Sequence, residues 1–220
     1  MNKVLVVAYQ KIGTPPKNSP FKNEWTSPAR LTRLLDAIKK RNIPTVTPEQ
    51  IAKGELPAVS VLLLFLDGYR SFYEVAYPLL KERGLSACVC VPTAYADTYN
   101  SWQDPHQEYW QDLLTWKEID ELKKDPLVAI GVQALNREDV SPMPAAQARF
   151  VCEESVFRFT KKLGISPACF AAFPSGQKRL SSAELLPDFT GLWLAPGQHF
   201  SEVQTKWLWG KNWATRFRLR

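Results

Sequence analysis

Cysteine is scarce in this sequence, and its pattern lacks the pairs that build common metal and redox motifs. The chain contains four cysteines, and none of them forms a C-x-x-C pair. No zinc-ribbon or dithiol redox motif is therefore indicated. The four residues are Cys88, Cys90, Cys152 and Cys169, and we expect them to be small buried hydrophobic side chains in a reducing compartment.

Long hydrophobic runs are also missing. The apolar run at residues 4–8 is too short for the core of a signal peptide, and no cleavage site follows it. Hydrophobic residues make up 45% of the chain and charged residues 23%, which is typical of soluble globular proteins and not of disordered or membrane-spanning ones. We therefore expect a cytoplasmic protein without a membrane span.

Acidic residues are outnumbered by basic ones, 22 to 28, which gives a formal net charge of +6 and a pI near 9.1. The basic residues are scattered and become denser only near the C-terminus, at Lys206, Lys211, Arg216, Arg218 and Arg220. No nucleic-acid recognition motif accompanies them. We interpret the charge as an ordinary solvated surface and expect no nucleic-acid partner.

What the sequence does contain is an alternation of short apolar runs and helical patterns, over a length that suits a single domain, 1–220. Six apolar runs are predicted to be strands buried on both faces: residues 4–8, 59–66, 87–91, 128–132, 170–173 and 191–194. This alternation is typical of parallel α/β folds. It predicts a barrel or a sheet covered on both faces.

Helices are predicted where apolar residues recur at helical spacing between capping residues. They cover residues 27–41, 71–83, 115–124 and 145–163, with a shorter helix that begins at Thr47 and Pro48. Two segments without any period, 11–24 and 97–112, are predicted to be long loops. Loops of this kind commonly carry the functional sites of parallel α/β folds.

Four short motifs occur in an order and at a spacing that resemble those of one known family. Residues 66–69, Leu-Asp-Gly-Tyr, resemble the end of its Thr-Phe-Asp-Asp-Gly-Tyr signature. Residues 130–137 resemble its Ile-Gly-Ser-His-Thr-x-x-His signature, residues 170–176 its Pro-Tyr-Gly signature, and residues 7–10 stand where many members have a Tyr-His pair. The family is the polysaccharide deacetylases, which share the chitooligosaccharide deacetylase homology domain. The resemblance covers about residues 3–195 and implies an α/β fold, an irregular and incomplete (β/α) barrel.

The resemblance also implies a chemistry whose residues are mostly replaced here. Family members use an Asp as general base, an Asp-His-His site for a metal that polarises water, and a later His as acid. By the same alignment the base position falls on Leu66 and the ligand Asp on Asp67, whereas the two ligand histidines fall on Gln133 and Arg137. Leucine accepts no proton, glutamine is a weak neutral ligand, and arginine repels a cation. We therefore expect a degenerate site without a cofactor; the alternative is zinc or another divalent metal at Asp67.

The same residues predict what replaces the metal. A buried Asp67 needs a countercharge, and Arg137 is expected to supply it through a bidentate hydrogen bond. The chain has two histidines, His106 and His199, and neither falls on a ligand position. The predicted binding cleft consists of Gln10, Asp67, Tyr69, Gln133, Arg137, Pro174, Ser175, Trp102 and Trp110.

Three functions are compatible with these residues. The first is a catalytically degenerate domain that binds a glycan or acts as a scaffold, with loop tryptophans as a stacking surface. The second is an active carbohydrate N-deacetylase, a hydrolase of non-peptide carbon–nitrogen bonds, with a divergent site. The third is a structural subunit that docks a protein partner through Trp207, Trp209 and Trp213. Loss of the catalytic base favours the first, in which the protein is not an enzyme.

Overall fold

The structure, a computed structural model, describes residues 2–54, 56–140, 142–171, 185–186 and 188–189, together with the backbone of strands at Leu192–Leu194 and Val203–Trp209. The strands are β1 (Asn2–Tyr9), β2 (Lys11–Ile12), β3 (Trp25–Thr26), β4 (Val59–Phe65), β5 (Ala87–Val91), β6 (Val128–Val132), β7 (Cys169–Ala171), β8 (Leu192–Leu194) and β9 (Val203–Trp209). Each of the six predicted strands overlaps one of these. The last two residues of the predicted strand 170–173 lie outside the described residues.

Seven strands form one sheet in the order β8-β7-β6-β5-β4-β1-β9. Every pairing in it is parallel, beginning with β1 against β4 and β9. Within the described residues β8 and β9 are the two edges, as an incomplete barrel requires. The small ribbon of β2 and β3 follows β1 closely in the chain, with Gln10 alone between β1 and β2.

Strand β9 was not predicted, because the sequence analysis interpreted its tryptophans as a docking segment. Residues of β9 pair with seven consecutive residues of β1, with Val203 opposite Asn2 and Trp209 opposite Ala8. In Val-Gln-Thr-Lys-Trp-Leu-Trp, polar residues interrupt the apolar run that marks the other strands. An edge strand tolerates this pattern, since it does not need two buried faces. Trp213 lies outside the described residues.

The two faces of the sheet carry different side chains, because successive residues of a strand point to opposite sides. One face belongs to the larger core, with Phe65 and Val89 as members, and packs against helices. The other face lines the inside of the curled sheet, where many side chains are small, such as Ala8, Cys90 and Ala171. The inner core is therefore narrow and apolar.

Except at the start of the third helix, the observed helices begin and end within two residues of the predicted bounds. Their bounds are α1 (Pro28–Lys40), α2 (Pro48–Lys53), α3 (Tyr77–Arg83), α4 (Trp116–Leu122) and α5 (Ala145–Leu163). Ser27 caps α1, and Thr115 forms a capping box with Glu118 at the start of α4. Gly84 and Gly164 end α3 and α5 in the left-handed conformation. None of the helices in the described part of the chain is both long enough and apolar enough to cross a membrane.

One predicted helix differs from the observed one. Residues 71–83 were expected to form a single α-helix, but the segment begins as a π-helix at Phe72–Ala76 and continues as α3. Pro78 lies at the start of α3 and has no N–H, so it cannot donate the regular α-helical bond to the preceding turn. The wider turn before Pro78 accommodates that missing donor.

Candidate functional site

Four polar side chains meet at the carboxyl edge of the parallel sheet. Gln10 follows β1 directly, Asp67 comes two residues after β4, and Gln133 and Arg137 follow β6. The carboxyl ends of parallel strands meet at one edge of a sheet, so residues distant in sequence come together here. We call Gln10, Asp67, Gln133 and Arg137 the mouth cluster.

Asp67 is the centre of the mouth cluster. Its side chain is 0% exposed, and both carboxylate oxygens accept hydrogen bonds from the protein. Oδ2 accepts from Gln10 Nε2 at 2.7 Å. Oδ1 accepts from Arg137 Nε at 2.7 Å and from Gln133 Nε2 at 3.1 Å. Three donors therefore hold the buried carboxylate, which offsets much of the cost of burying it.

Gln133 holds Asp67 from two directions. Its Oε1 accepts from the Asp67 backbone N–H at 2.6 Å while its Nε2 donates to the carboxylate. The backbone of Gln133 is itself fixed, because Ser155 Oγ on α5 donates to its carbonyl oxygen at 2.6 Å. Thr93 Oγ1 lies 3.1 Å from Ser155 Oγ and extends this buried network. The sequence analysis missed Ser155, although a serine among the buried positions of α5 could have signalled it.

Arg137 supplies the charge that balances Asp67. The predicted ion pair is present, but only Nε makes the 2.7 Å contact, so the structure shows a single hydrogen bond to Oδ1 where a bidentate one was expected. Burial acts to lower the pKa of Arg137, but the attraction of Asp67 more than offsets it and the pKa is raised. The Arg137 guanidinium carbon lies 5.1 Å from the Trp102 ring centroid, and its side chain is 24% exposed. The cation of the pair therefore faces solvent, whereas the anion does not.

The backbone at this edge is in an unusual conformation. Asp67 has φ 68° and Arg137 has φ 63°, a left-handed region that non-glycine residues rarely adopt. Gly68 follows with φ 60°, and a Cβ at this position would lie 2.9 Å from Val91 Cγ1. Such conformations persist where surrounding contacts enforce them, and they concentrate at functional sites.

The side chain of Leu66 lies apart from the polar groups of the mouth cluster. It is 2% exposed and belongs to the inner core with Ala8 and Leu64. Its side chain accepts no proton, so the position of the family's general base is occupied by an apolar group. These residues do not form the metal site that the family resemblance implies, because Arg137 and two amides already contact Asp67.

The aromatic residues of the predicted cleft separate into two groups. Tyr69 is 1% exposed and packs edge-on against Trp102, so it supports the mouth without lining an open surface. Burial raises the pKa of Tyr69, and the negative charge of Asp67 adds to this, which keeps the phenol neutral. Trp110 instead stacks on Tyr99 with ring centroids 4.5 Å apart and is 39% exposed. Pro174, Ser175 and His199 lie outside the described residues.

A second buried charge cluster ties the two long loops together, and the sequence analysis missed it. Lys11 Nζ donates to Glu108 Oε1 at 2.5 Å and to Gln103 Oε1 at 2.8 Å, and lies 3.1 Å from Glu24 Oε2. Ser19 Oγ also donates to Glu108. We call Lys11, Glu24, Gln103 and Glu108 the loop cluster. The sequence did offer one signal of this cluster, since Lys11 is a charged residue that comes directly after a buried strand and Gln10.

Comparison with known proteins relates this arrangement to a family. A family model for polysaccharide deacetylase matches residues 53–188 of the chain. Among curated proteins, none matches the sequence.

Solved structures of low sequence identity share the fold. A de-N-acetylase from Aggregatibacter actinomycetemcomitans has a TM-score of 0.73 at 19% identity, over 93% of this chain and 94% of that one. IcaB from Ammonifex degensii has a TM-score of 0.73 at 17% identity, over 97% of each chain. Streptococcus pyogenes deacetylase PplD has a TM-score of 0.68 at 21% identity, over 85% of this chain and 81% of that one. The predicted irregular (β/α) barrel is confirmed.

Proposed function

Because a family model matches more than half of it, this chain belongs to the polysaccharide deacetylase family, and we propose that it binds a carbohydrate at the barrel mouth without hydrolysing it. The proposal combines the family's substrate class with a mouth cluster that lacks the family's catalytic groups. It treats the domain as a glycan-binding module.

The observation that carries this proposal is that three donors, one of them the cationic Arg137, already bind the Asp67 carboxylate. A divalent metal at this position would have to displace the Arg137 guanidinium and compete with the amide donors of Gln10 and Gln133. The guanidinium is permanently charged and repels a cation. Neutral amide oxygens are weak substitutes for histidine nitrogens as zinc ligands. Metal-activated water is therefore not expected at Asp67.

The position of the general base supports the same conclusion. Leu66 is buried in the inner core and offers no group that could take a proton from water. Among the described residues, His106 is the only histidine, and it is exposed in the loop 97–112. Hydrolysis of an amide without an activating metal or a general base would be too slow to be an enzymatic activity.

The exposed side of the mouth supports carbohydrate binding. The partly exposed guanidinium of Arg137 lies against the ring of Trp102, so a cationic group and an apolar face are adjacent at the mouth. Binding sites for small polar ligands combine a few placed polar groups with aromatic walls in this way. The exposed pair of Tyr99 and Trp110 on the same loop provides a further flat surface.

A binding experiment tests the proposal directly. Chitooligosaccharides of two to six units are titrated into the protein by calorimetry, together with the variants Arg137→Met and Arg149→Met. We expect saturable binding by the wild type and by Arg149→Met, whose arginine lies on the exposed side of α5. Arg137→Met should bind at least tenfold more weakly. Binding that is equal in both variants, or absent from the folded wild type, would contradict a carbohydrate site at the mouth.

A further inference from the structure

Three cysteine sulfurs meet inside the curled sheet, away from the mouth cluster. Cys88 and Cys90 lie on β5, and Cys169 lies on β7. Their Sγ atoms are 3.9 Å apart between Cys88 and Cys90, and 3.6 Å apart between each of these and Cys169. All three residues are 0% exposed. The sequence analysis predicted small buried hydrophobes, and burial is confirmed, but the convergence of the sulfurs was not expected.

Gly131 makes this convergence possible. It lies on β6, the strand between β5 and β7, in register with Cys90. A Cβ at Gly131 would lie 2.7 Å from Cys90 Sγ and 2.5 Å from Cys169 Sγ, closer than real side-chain contacts allow. The missing side chain therefore leaves the space into which sulfurs from two non-adjacent strands project. An alanine here would force the sulfurs apart.

The spacing matches that of thiolates around one metal ion. With metal–sulfur bonds of about 2.3 Å, as zinc has, two sulfurs are about 3.8 Å apart on a tetrahedral ion and about 4.0 Å apart on a trigonal one. The observed separations of 3.6 to 3.9 Å are close to these values. Each pair of sulfurs in the set fits, which is the condition for three ligands to share one ion.

We propose that Cys88, Cys90 and Cys169 form a binding site for one thiophilic cation, monovalent copper, whose coordination three sulfurs complete. Soft sulfur ligands select such ions over harder divalent ones. The described residues that surround the sulfurs on the inner face are apolar, so the charge is balanced there when one sulfur binds as a thiolate and the other two bind as neutral thiols. This site shares no residue with the mouth cluster and does not depend on the proposed carbohydrate binding.

Binding of the ion releases one proton. Burial among apolar residues disfavours a thiolate, so the three sulfurs are neutral thiols before an ion arrives. One thiol gives its proton to solvent, and a copper–sulfur bond replaces its sulfur–hydrogen bond; the other two sulfurs bind copper through their lone pairs and keep their protons. One positive charge replaces another, so the core is neutral with and without copper.

Copper retention tests the site. Reduced protein is unfolded in urea and refolded without oxygen in the presence of Cu(I), because the buried sulfurs must be accessible during loading. A chromophoric Cu(I) chelator then removes loosely bound ion. We expect one equivalent retained per chain in the wild type, and sulfur as the only ligand type in X-ray absorption spectra.

Matched alanine variants separate the site from unspecific thiol binding. Cys88→Ala and Cys169→Ala should each retain at least tenfold less copper, whereas Cys152→Ala should retain one equivalent. Cys152 is a suitable control because it is equally buried but belongs to α5 and the outer core. Circular dichroism establishes that each variant is folded, and the two cluster variants provide independent measurements. Packed neutral thiols without metal affinity would leave the wild type no better than Cys169→Ala, which would overturn the proposal.

Discussion

The mouth cluster and the loop cluster both bury a carboxylate beside a cation, but they differ in which partner reaches solvent. At the mouth, Asp67 is 0% exposed while the side chain of Arg137 is 24% exposed. In the loop cluster, the side chains of Lys11 and Glu108 are 1% and 0% exposed. The Asp67–Arg137 pair is partly open on its cationic side, and the Lys11–Glu108 pair is closed; the loop cluster reaches solvent through its second carboxylate, Glu24, whose side chain is 21% exposed.

A buried ion pair alone is therefore not enough to identify a binding site. The loop cluster joins the segment after β1 to the segment 97–112, and its charged groups pair with one another within the protein. The mouth cluster lies at the carboxyl ends of parallel strands on left-handed backbone, with a guanidinium that is partly exposed. We therefore expect the closed cluster to dominate stability and the open one to dominate binding.

Loss of Lys11 should have the largest effect on stability. Lys11→Met leaves the buried Glu108 carboxylate without its cation, which costs about 3–5 kcal/mol of unfolding free energy for a pair of this kind. Lys124→Met removes an exposed pair with Asp120 and should cost less than about 1 kcal/mol. Urea denaturation of the two variants measures the difference. Equal costs would contradict the assignment of the loop cluster as the closed, stabilising one.

Loss of Arg137 should destabilise the protein less. The side chain of Arg137 is 24% exposed and that of Lys11 is 1% exposed, so water partly replaces the lost cation beside Asp67 in Arg137→Met, and we expect a cost of about 1–3 kcal/mol. The same denaturation series places this value between those of the two lysine variants. A cost for Arg137→Met above that for Lys11→Met would reverse the proposed division between the clusters.

Acid should weaken the closed cluster through Glu108. Burial acts to raise the pKa of Glu108, but hydrogen bonds from Lys11, Ser19 and Trp25 lower it by more. The net pKa therefore lies below its ordinary value of 4.5. A depressed pKa gives stability that is complete above the unfolded pKa and is lost as the pH falls through the folded one. Glu108→Gln should therefore flatten the fall of unfolding free energy below pH 4.5, measured by urea denaturation. An unchanged acid limb would show that Glu108 is not the responsible group.

The smallest effect is expected at Trp102. Its Nε1 is buried and finds no hydrogen-bond acceptor among the described residues, so Trp102→Phe removes an unsatisfied donor and should change stability by less than about 1 kcal/mol. The smaller ring weakens the contact with Arg137, and carbohydrate affinity should fall by about threefold. Calorimetry on this variant checks the second effect. A loss of stability with unchanged carbohydrate affinity would show that Trp102 supports the fold and does not contribute to binding.

The fold could be predicted from the sequence to a large extent, because buried parallel strands and capped helices leave local patterns. The apolar runs of β4 and β5 and the Gly164 end of α5 are such patterns. Strand β9 was missed because an edge strand needs no continuous apolar run, and the π-helix before Pro78 depends on one missing N–H. The first feature depends on the position of the strand in the sheet, and the second on the absence of a single hydrogen-bond donor.

The candidate site could be predicted only where the family motifs reach. They aligned Asp67, Gln133 and Arg137, and charge balance then predicted the ion pair. The support from Ser155 and the loop cluster around Lys11 depends on contacts between segments about 20 to more than 90 residues apart, which no local pattern encodes. The convergence of the three cysteine sulfurs depends on the curl of the sheet over Gly131, which periodicity does not report.

The most direct test of the central claim is acetate release from N-acetylglucosamine oligomers by the wild-type protein with added zinc or cobalt, beside the variant Asp67→Asn. The account predicts no acetate above the protein-free blank for either protein, because Arg137 holds the metal position and Leu66 the base position. Metal-dependent acetate release by the wild type that disappears in Asp67→Asn would contradict the account and establish an active deacetylase with a divergent ligand set.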